Sequence, residues 1–248
     1  MLRTLSIIPV PGVPEVRPGD DLAGLILAAC LGEGSDDTPD GNDAPGLFDN
    51  DVLVVSQKVV SKAENQLVHV DPDDPQSHKP LVVAESVRIV RRRGDLIISE
   101  TKHGFVCASA GIDRSNVEPD IAALLPEDSD RSARRLRDAI AGRADVSVGV
   151  IVADTFGRPW RRGLTDVAIG TAGILPILDL RGTDDAIGRE LQVTEVCIAD
   201  ELAGAAELVR GKSTGIAVAI IRGVDPAWFG EGSVADDIVR DPSEDLFR

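Results

Sequence analysis

Apolar residues in this chain come in short runs, and the spacing within each run separates strands from helices. Thr4 to Val10, Asp51 to Ser56, Val146 to Ala153 and Ile216 to Arg222 read as strands, the second a buried one (DVLVVS). Asp95 to Glu100 and Gly104 to Ala108 read as two more, around Thr101-Lys102-His103. Ile174 to Leu180 is a further strand, and Leu191 to Ile198 alternates as a strand does. Helical spacing marks Leu22 to Leu31, where Asp20 and Asp21 sit at the positive end of the helix dipole. It also marks Pro80 to Arg93, an apolar stripe that ends in the basic turn Arg91-Arg92-Arg93. Ser129 to Arg143 is an amphipathic helix, capped by Ser129, with Ala133, Leu136 and Ile140 as its stripe. Asp200 to Arg210 is alanine-rich and ends at Gly211. The whole predicts a mixed, β-rich core with several amphipathic helices and no internal repeat.

Turn chemistry adds detail. Pro11-Gly12-Val13-Pro14 cannot continue the first strand and leaves a rigid turn with exposed backbone groups. Gly34 to Asn50, rich in Gly, Pro, Asp and Asn, is a solvated loop.

The composition narrows the functional classes. At 248 residues the chain makes one large domain or two modest lobes, with enough length for a real core. Its net charge of −16 argues against a nucleic-acid partner bound through a basic face, while leaving room for a nucleotide held by a local cluster of cations. No apolar run nears the roughly 20 residues that span a bilayer, so no membrane role is expected. The proline-broken N-terminus has no signal-peptide pattern, which makes the expected location cytoplasmic. Cys30, Cys107 and Cys197 are far apart and form no CxxC pair, so reduced, buried thiols are expected in place of zinc or disulfides.

Chemistry concentrates between Val146 and Gly173. An apolar strand delivers Asp154 and Thr155 to its end, a turn follows (Phe156-Gly157-Arg158-Pro159-Trp160), and Arg161 and Arg162 come next. A carboxylate and a hydroxyl at a strand end suit a hard metal ion, and guanidinium groups nearby suit phosphate oxygens. Asp113 and Asn116 project together from the tight segment Ala110 to Val117, either as cation donor and base or ribose partner or as an Asx-turn with a purely local role. Lys62, and to a lesser degree Lys58, sit just past a buried strand, where α/β proteins place ligands. Gly211-Lys212-Ser213-Thr214 is no Walker A motif, because the first glycine of that pattern falls on Ala206 and a helix precedes it. As a glycine-flanked turn it can still cradle a phosphate.

Several segments together carry a resemblance: Pro9 to Glu15 (PVPGVPE), Val55 to Asn65 (VSQKVVSKAEN), Ala110 to Val117 (AGIDRSNV) and Ala153 to Gly163 (ADTFGRPWRRG) with its AIGTAG sequel. With Val193 to Lys212, they make nearly the whole chain similar to the coenzyme F-420-0:L-glutamate ligase family. The resemblance implies an α+β, two-lobed mixed sheet and helix fold and an intertwined homodimer. The implied lobes are about 1–104 plus 206–248, and about 105–205. It implies GTP-dependent addition of L-glutamate to coenzyme F-420-0, then γ-linked glutamates, through an acyl phosphate with release of GDP and phosphate.

The implied cofactors are Mg²⁺ or Mn²⁺, one or two per site, with K⁺ as a further candidate. By motif, Asp113 and Asp154 hold the first cation and Thr155 helps with a second. Gly12, Val13, Pro14, Glu15, Ser56, Gln57, Lys62, Asn116 and the Arg210, Gly211, Lys212, Ser213, Thr214 and Gly215 turn contact GTP. Arg158, Arg161 and Arg162 are candidates for gripping the anionic substrates, with structural pairing to nearby acids as the alternative.

Two departures stand out: the acidic loop from Gly34 to Asn50 is longer than in typical archaeal members, and Lys212 stands where such members can carry an acidic metal ligand. Protonated lysine cannot ligate a metal, so a second site has lost a ligand or uses another. The competing readings are a metal-dependent GTP hydrolase or phosphotransferase, and a non-enzymatic acidic binding module. In actinobacterial relatives a flavin-binding, nitroreductase-like domain continues near where this chain ends, which makes an excised N-terminal ligase domain an alternative.

Overall fold

A computed structural model describes residues 3–32 and 44–246. In chain order it begins with β1 (Ser6–Val10), α1 (Leu22–Leu31), β2 (Val52–Ser56) and α2 (Gln57–Ala63). Next come β3 (Leu67–His69), α3 (Lys79–Ala84), β4 (Ser86–Arg93), β5 (Leu96–Thr101), β6 (Val106–Ala108) and β7 (Ile121–Ala123). The chain continues through α4 (Ser129–Ala144), β8 (Gly149–Gly157), β9 (Leu164–Ala172), β10 (Leu178–Asp179) and β11 (Glu195–Val196). It closes with α5 (Ile198–Arg210) and β12 (Val218–Arg222). The architecture is mixed α+β, as the pattern predicts.

The main sheet has the order β1-β12-β2-β8-β9, with β2 and β8 parallel and the other pairs antiparallel. Its central strands hold unbroken apolar runs, Val218–Ile221, Val52–Val55 and Val150–Ala153, because both faces are covered there. On one face Leu53, Val55, Val150, Val152 and Ile220 pack with Ile26 of α1 and Leu136 and Ile140 of α4. On the other, Val52, Val54, Ile151, Ala219 and Ile221 meet Ala199, Leu202, Ala203 and Ala206 of α5. The period-2 alternation of strand side chains assigns successive residues to the two cores. The small residues of α5 let it lie close to the sheet, and Gly170 of β9 does the same for α4. A Cβ on Gly170 would come within 2.3 Å of the Ser129 carbonyl.

A smaller body lies between β2 and α4 in sequence. It holds the sheet β4-β5-β6 and the pair β3-β7 around Val70, Val82, Ile97, Ala110, Ile112 and Ala122.

Four local expectations are corrected. Pro80 to Arg93 is not one helix: α3 stops at Ala84, and Ser86–Arg93 is a strand paired with β5. The β-branched residues Val87, Ile89 and Val90 resist helix continuation, and ladder pairing with β5 overrides the apolar stripe. The cap of α4 is Asp128, whose carboxylate accepts from Arg131 N at 2.8 Å, while Ser129 is the buried first helical residue. The strand expected at Val146–Ala153 starts at Gly149 and runs on to Gly157, into the expected turn. Ile174–Leu180 and Leu191–Ile198 shrink to the short pair Leu178–Asp179 and Glu195–Val196. Of the loop at Gly34 to Asn50, residues 34–43 lie outside the described residues. Among the described residues no helix is long and apolar enough to cross a membrane.

Candidate functional site

Strand direction decides where the site forms. β2 and β8 are parallel, with Ser56 beside Ala153, so both point their C-terminal ends the same way. β12 runs against them, so its approach through Gly211–Ala217 lies at that end, and β1 delivers Val13–Val16 there too. The result is a cleft of about 760 Å³ lined by these segments, by α2, by Asp113–Asn116 and by the start of β9. Sheet ends of this kind gather side chains from separate segments around one ligand.

Asp154 and Thr155 leave β8 on opposite sides, as strand alternation requires. The Thr155 hydroxyl donates to Asp166 Oδ1 at 2.5 Å, directly across the β8–β9 ladder. Asp166 is only 3% exposed and pairs with the equally buried Arg210, the last residue of α5. Among the described residues the Arg210 Nε and Nη1 groups have no hydrogen-bond partner. Lys212 reaches the same cluster: its ammonium donates to Thr155 Oγ1, lies 2.8 Å from Glu207 and 3.3 Å from Asp166. Partial burial acts against its charge, but Glu207 and Asp166 hold the ammonium above its ordinary pKa.

On the other side of the strand end lies Asp113. Its carboxylate accepts from the Lys58 ammonium at 2.8 Å and from Ser115 N at 2.6 Å. Burial opposes its ionisation, yet Lys58 and Ser115 outweigh it and keep its pKa below the ordinary value. Lys62 donates to the Asn116 carbonyl at 2.9 Å and pairs with Glu15, which ties the first turn to the Asp113 segment. Asn116 itself has φ 51°, a left-handed conformation that Asn tolerates better than most residues.

Asp154 differs from the other acids of the cleft. Glu15, Asp113, Asp166 and Glu207 each have a lysine or arginine partner; Asp154 makes no ion pair among the described residues. Burial, with Asp113 and Asp166 adding like charge, pushes its carboxyl up from 3.8 to about 7, against the pull of Thr155 N–H and Lys212. A hard divalent cation suits the Asp154 and Asp113 carboxylates, since carboxylate oxygens are among its preferred ligands and Mg²⁺ keeps waters in its other positions. Among the described residues no group of three or more His, Cys, Asp or Glu side chains is assembled as a metal centre. Any cation here would therefore rest on few protein oxygens.

Most residues singled out from the sequence line this one cleft. They include Val13, Pro14, Glu15, Ser56, Gln57, Lys62, Asp113, Asn116, Asp154, Thr155, Arg210, Gly211, Lys212, Ser213 and Gly215. Gln57 is 1% exposed and its amide donates to Ser61 Oγ and, at 2.9 Å, to the Leu124 carbonyl, so it fastens α2 to the smaller body. Gly12 and Thr214 stand just outside the lining. Gly12 turns the chain with φ 86°, and the Thr214 hydroxyl closes its own turn by bonding the Arg210 carbonyl. Arg158, Arg161 and Arg162 are exposed in the β8–β9 connection and do not line the cleft.

Asp166, Glu207 and Ser115 were not foreseen. For Asp166 a signal exists: counted back across the hairpin it falls opposite Thr155, an acid on the face that continues as Ala168.

A sequence model of the F420-0:gamma-glutamyl ligase family matches residues 12–223. A protein described as coenzyme F420:L-glutamate ligase from Methanopyrus kandleri is 41% identical, the match covering 100% of this chain and 99% of that protein. Its namesake in Methanothermobacter thermautotrophicus is 39% identical over 98% and 99% of the two chains. The one in Methanocaldococcus jannaschii is 40% identical over 82% and 86%. With its matched segments gathered around one cleft, the chain belongs to the F420-0:gamma-glutamyl ligase family.

Proposed function

We propose that this chain is a GTP-dependent ligase that joins L-glutamate to coenzyme F-420-0 and then extends it through γ-linkages. One observation carries the reading. Within a strongly acidic protein, a single cleft sets Lys58, Lys62, Arg210 and Lys212 around the half-buried carboxylate Asp154. Such a site suits several anions brought together, and GTP, glutamate and the coenzyme precursor are all anionic.

The chemistry follows from the poor reactivity of a carboxylate toward amines. The F-420-0 carboxylate oxygen attacks the γ-phosphorus of GTP, the bond to the GDP oxygen breaks, and an acyl phosphate forms. The neutral α-amino group of glutamate then attacks the acyl carbon, phosphate leaves with the bonding electrons, and the amine sheds a proton to give the amide. The lysines orient phosphate oxygens and offset their charge. Asp113 and Asp154 would hold Mg²⁺ or Mn²⁺, which supplies charge neutralisation on the phosphates when bound. Exposed Arg158 and Arg161 are assigned to the grip on the incoming acidic substrates, and the same reading includes a homodimer, which light scattering tests.

The intermediate has its own test. With ¹⁸O in the F-420-0 carboxylate, the phosphate released acquires one labelled oxygen. Unlabelled phosphate alongside glutamylated product contradicts the acyl phosphate.

A further inference from the structure

The seat around Lys212 has the make-up of a cation site that the chain fills itself. Three oxygens converge on the ammonium: the Thr155 hydroxyl, Glu207 Oε1 at 2.8 Å and Asp166 Oδ1 at 3.3 Å. The lysine side chain is 61% exposed, so burial does not force its head into this position. Exposed lysines in single ion pairs gain little over water; this one satisfies its donors on a hydroxyl and two carboxylates. Asp166 is fixed independently by the buried Arg210, so the seat does not depend on Lys212 for its shape.

The charges around the cleft favour one divalent-cation position over two. Lys58 answers Asp113, Lys62 answers Glu15, Arg210 answers Asp166 and Lys212 answers Glu207, which leaves Asp154 as the acid without an ion pair among the described residues. We propose that Lys212 is a tethered cation: its ammonium occupies the Thr155–Asp166–Glu207 seat permanently, so that the cleft admits a single divalent ion, at Asp154 and Asp113. This deepens the ligase reading and rests on its metal dependence. In that role Lys212 supplies fixed positive charge beside Asp154, at no cost in metal recruitment. It also sets the metal stoichiometry of the site.

The test counts ions on the intact protein with Mn²⁺ alone, by equilibrium dialysis and by the loss of the free Mn²⁺ magnetic resonance signal. Wild type takes up about one ion per chain. Lys212→Gln, which removes the charge and keeps the length, takes up about two, and Lys212→Arg returns the count to about one. Circular dichroism melts on each variant establish that the count is read on folded protein. Two ions in wild type, none in wild type, or a single ion in folded Lys212→Gln each overturns the proposal. Product formation is scored separately by mass: a protein showing the predicted counts but making no glutamylated product sinks the ligase reading and leaves this one standing.

Discussion

Arg210 and Asp166 form an ion pair in which both side chains are only 3% exposed. The pair joins the end of α5 to β9 beneath the cleft, and Thr155 and Lys212 are built onto it. Removing one partner leaves a buried charge uncompensated. Asp166→Ala should therefore cost about 3–5 kcal/mol in folding stability, read from urea denaturation. A loss below about 1 kcal/mol would mean that the guanidinium finds water or another acceptor.

Asp154 makes stability depend on pH in a definite direction. Its carboxyl is pushed up from 3.8 to about 7, chiefly by burial, so the folded protein keeps a proton that the unfolded chain has released. That contribution is complete below 3.8 and is lost as pH rises through about 7. Metal-free wild type should accordingly lose urea resistance between ~pH 5 and ~pH 8 relative to Asp154→Asn, and Mn²⁺ should restore it only in wild type. Parallel pH curves for the two proteins would show that Asp154 ionises freely.

Lys62 is buried and bridges Glu15 to the Asn116 carbonyl at the mouth of the cleft. Lys62→Ala should weaken GTP binding by roughly tenfold to a hundredfold, the worth of about 1.5–3 kcal/mol for a charged hydrogen bond. Calorimetry with GTP and Mn²⁺ reads this directly, and an unchanged affinity would assign Lys62 to holding the two loops alone.

Gly170 admits no side chain. A Cβ there meets the Ser129 backbone at 2.3 Å, so Gly170→Ala should destabilise by about 1–3 kcal/mol or more by pushing α4 off β9. The thermal midpoint is the readout.

The thiols should be inert in the folded state. Burial is the first cause that pushes Cys30, Cys107 and Cys197 up to about 12, with nearby carboxylates adding to it. An aromatic disulfide reagent at ~pH 8 should label them only after urea is added; rapid native labelling would reveal local opening around β6 or α5.

The parts of the fold that were legible in the sequence are those where one signal acts alone. Val52–Ser56 and Val218–Arg222 are aliphatic because both sheet faces are covered, and α5 is marked by its small residues and Gly211. Ser86–Arg93 misleads because its valines and arginines satisfy a helical stripe as well as a strand, and only pairing with β5 decides. β9 escaped notice since Thr165, Asp166, Gly170 and Thr171 interrupt its apolar phase, and burial of Asp166 requires an arginine distant in sequence. That Asp113, Asp154 and Lys62 belong together in one cleft was legible through motif resemblance and, for Asp154 and Lys62, their positions at strand ends. Lys58, Glu15 and Lys212 were legible as residues, but their pairing with Asp113, Lys62 and Asp166 joins segments distant in sequence, which no local pattern encodes.

Amide formation at this cleft can be read directly as added mass. The most direct measurement is mass spectrometry of the deazaflavin after incubation with the protein, GTP, Mn²⁺, L-glutamate and coenzyme F-420-0. Products heavier by successive glutamate residues, with GDP released in step and none formed by Asp154→Asn, are the predicted result. GDP accumulating while the deazaflavin keeps its original mass would contradict the account and assign the cleft to GTP hydrolysis.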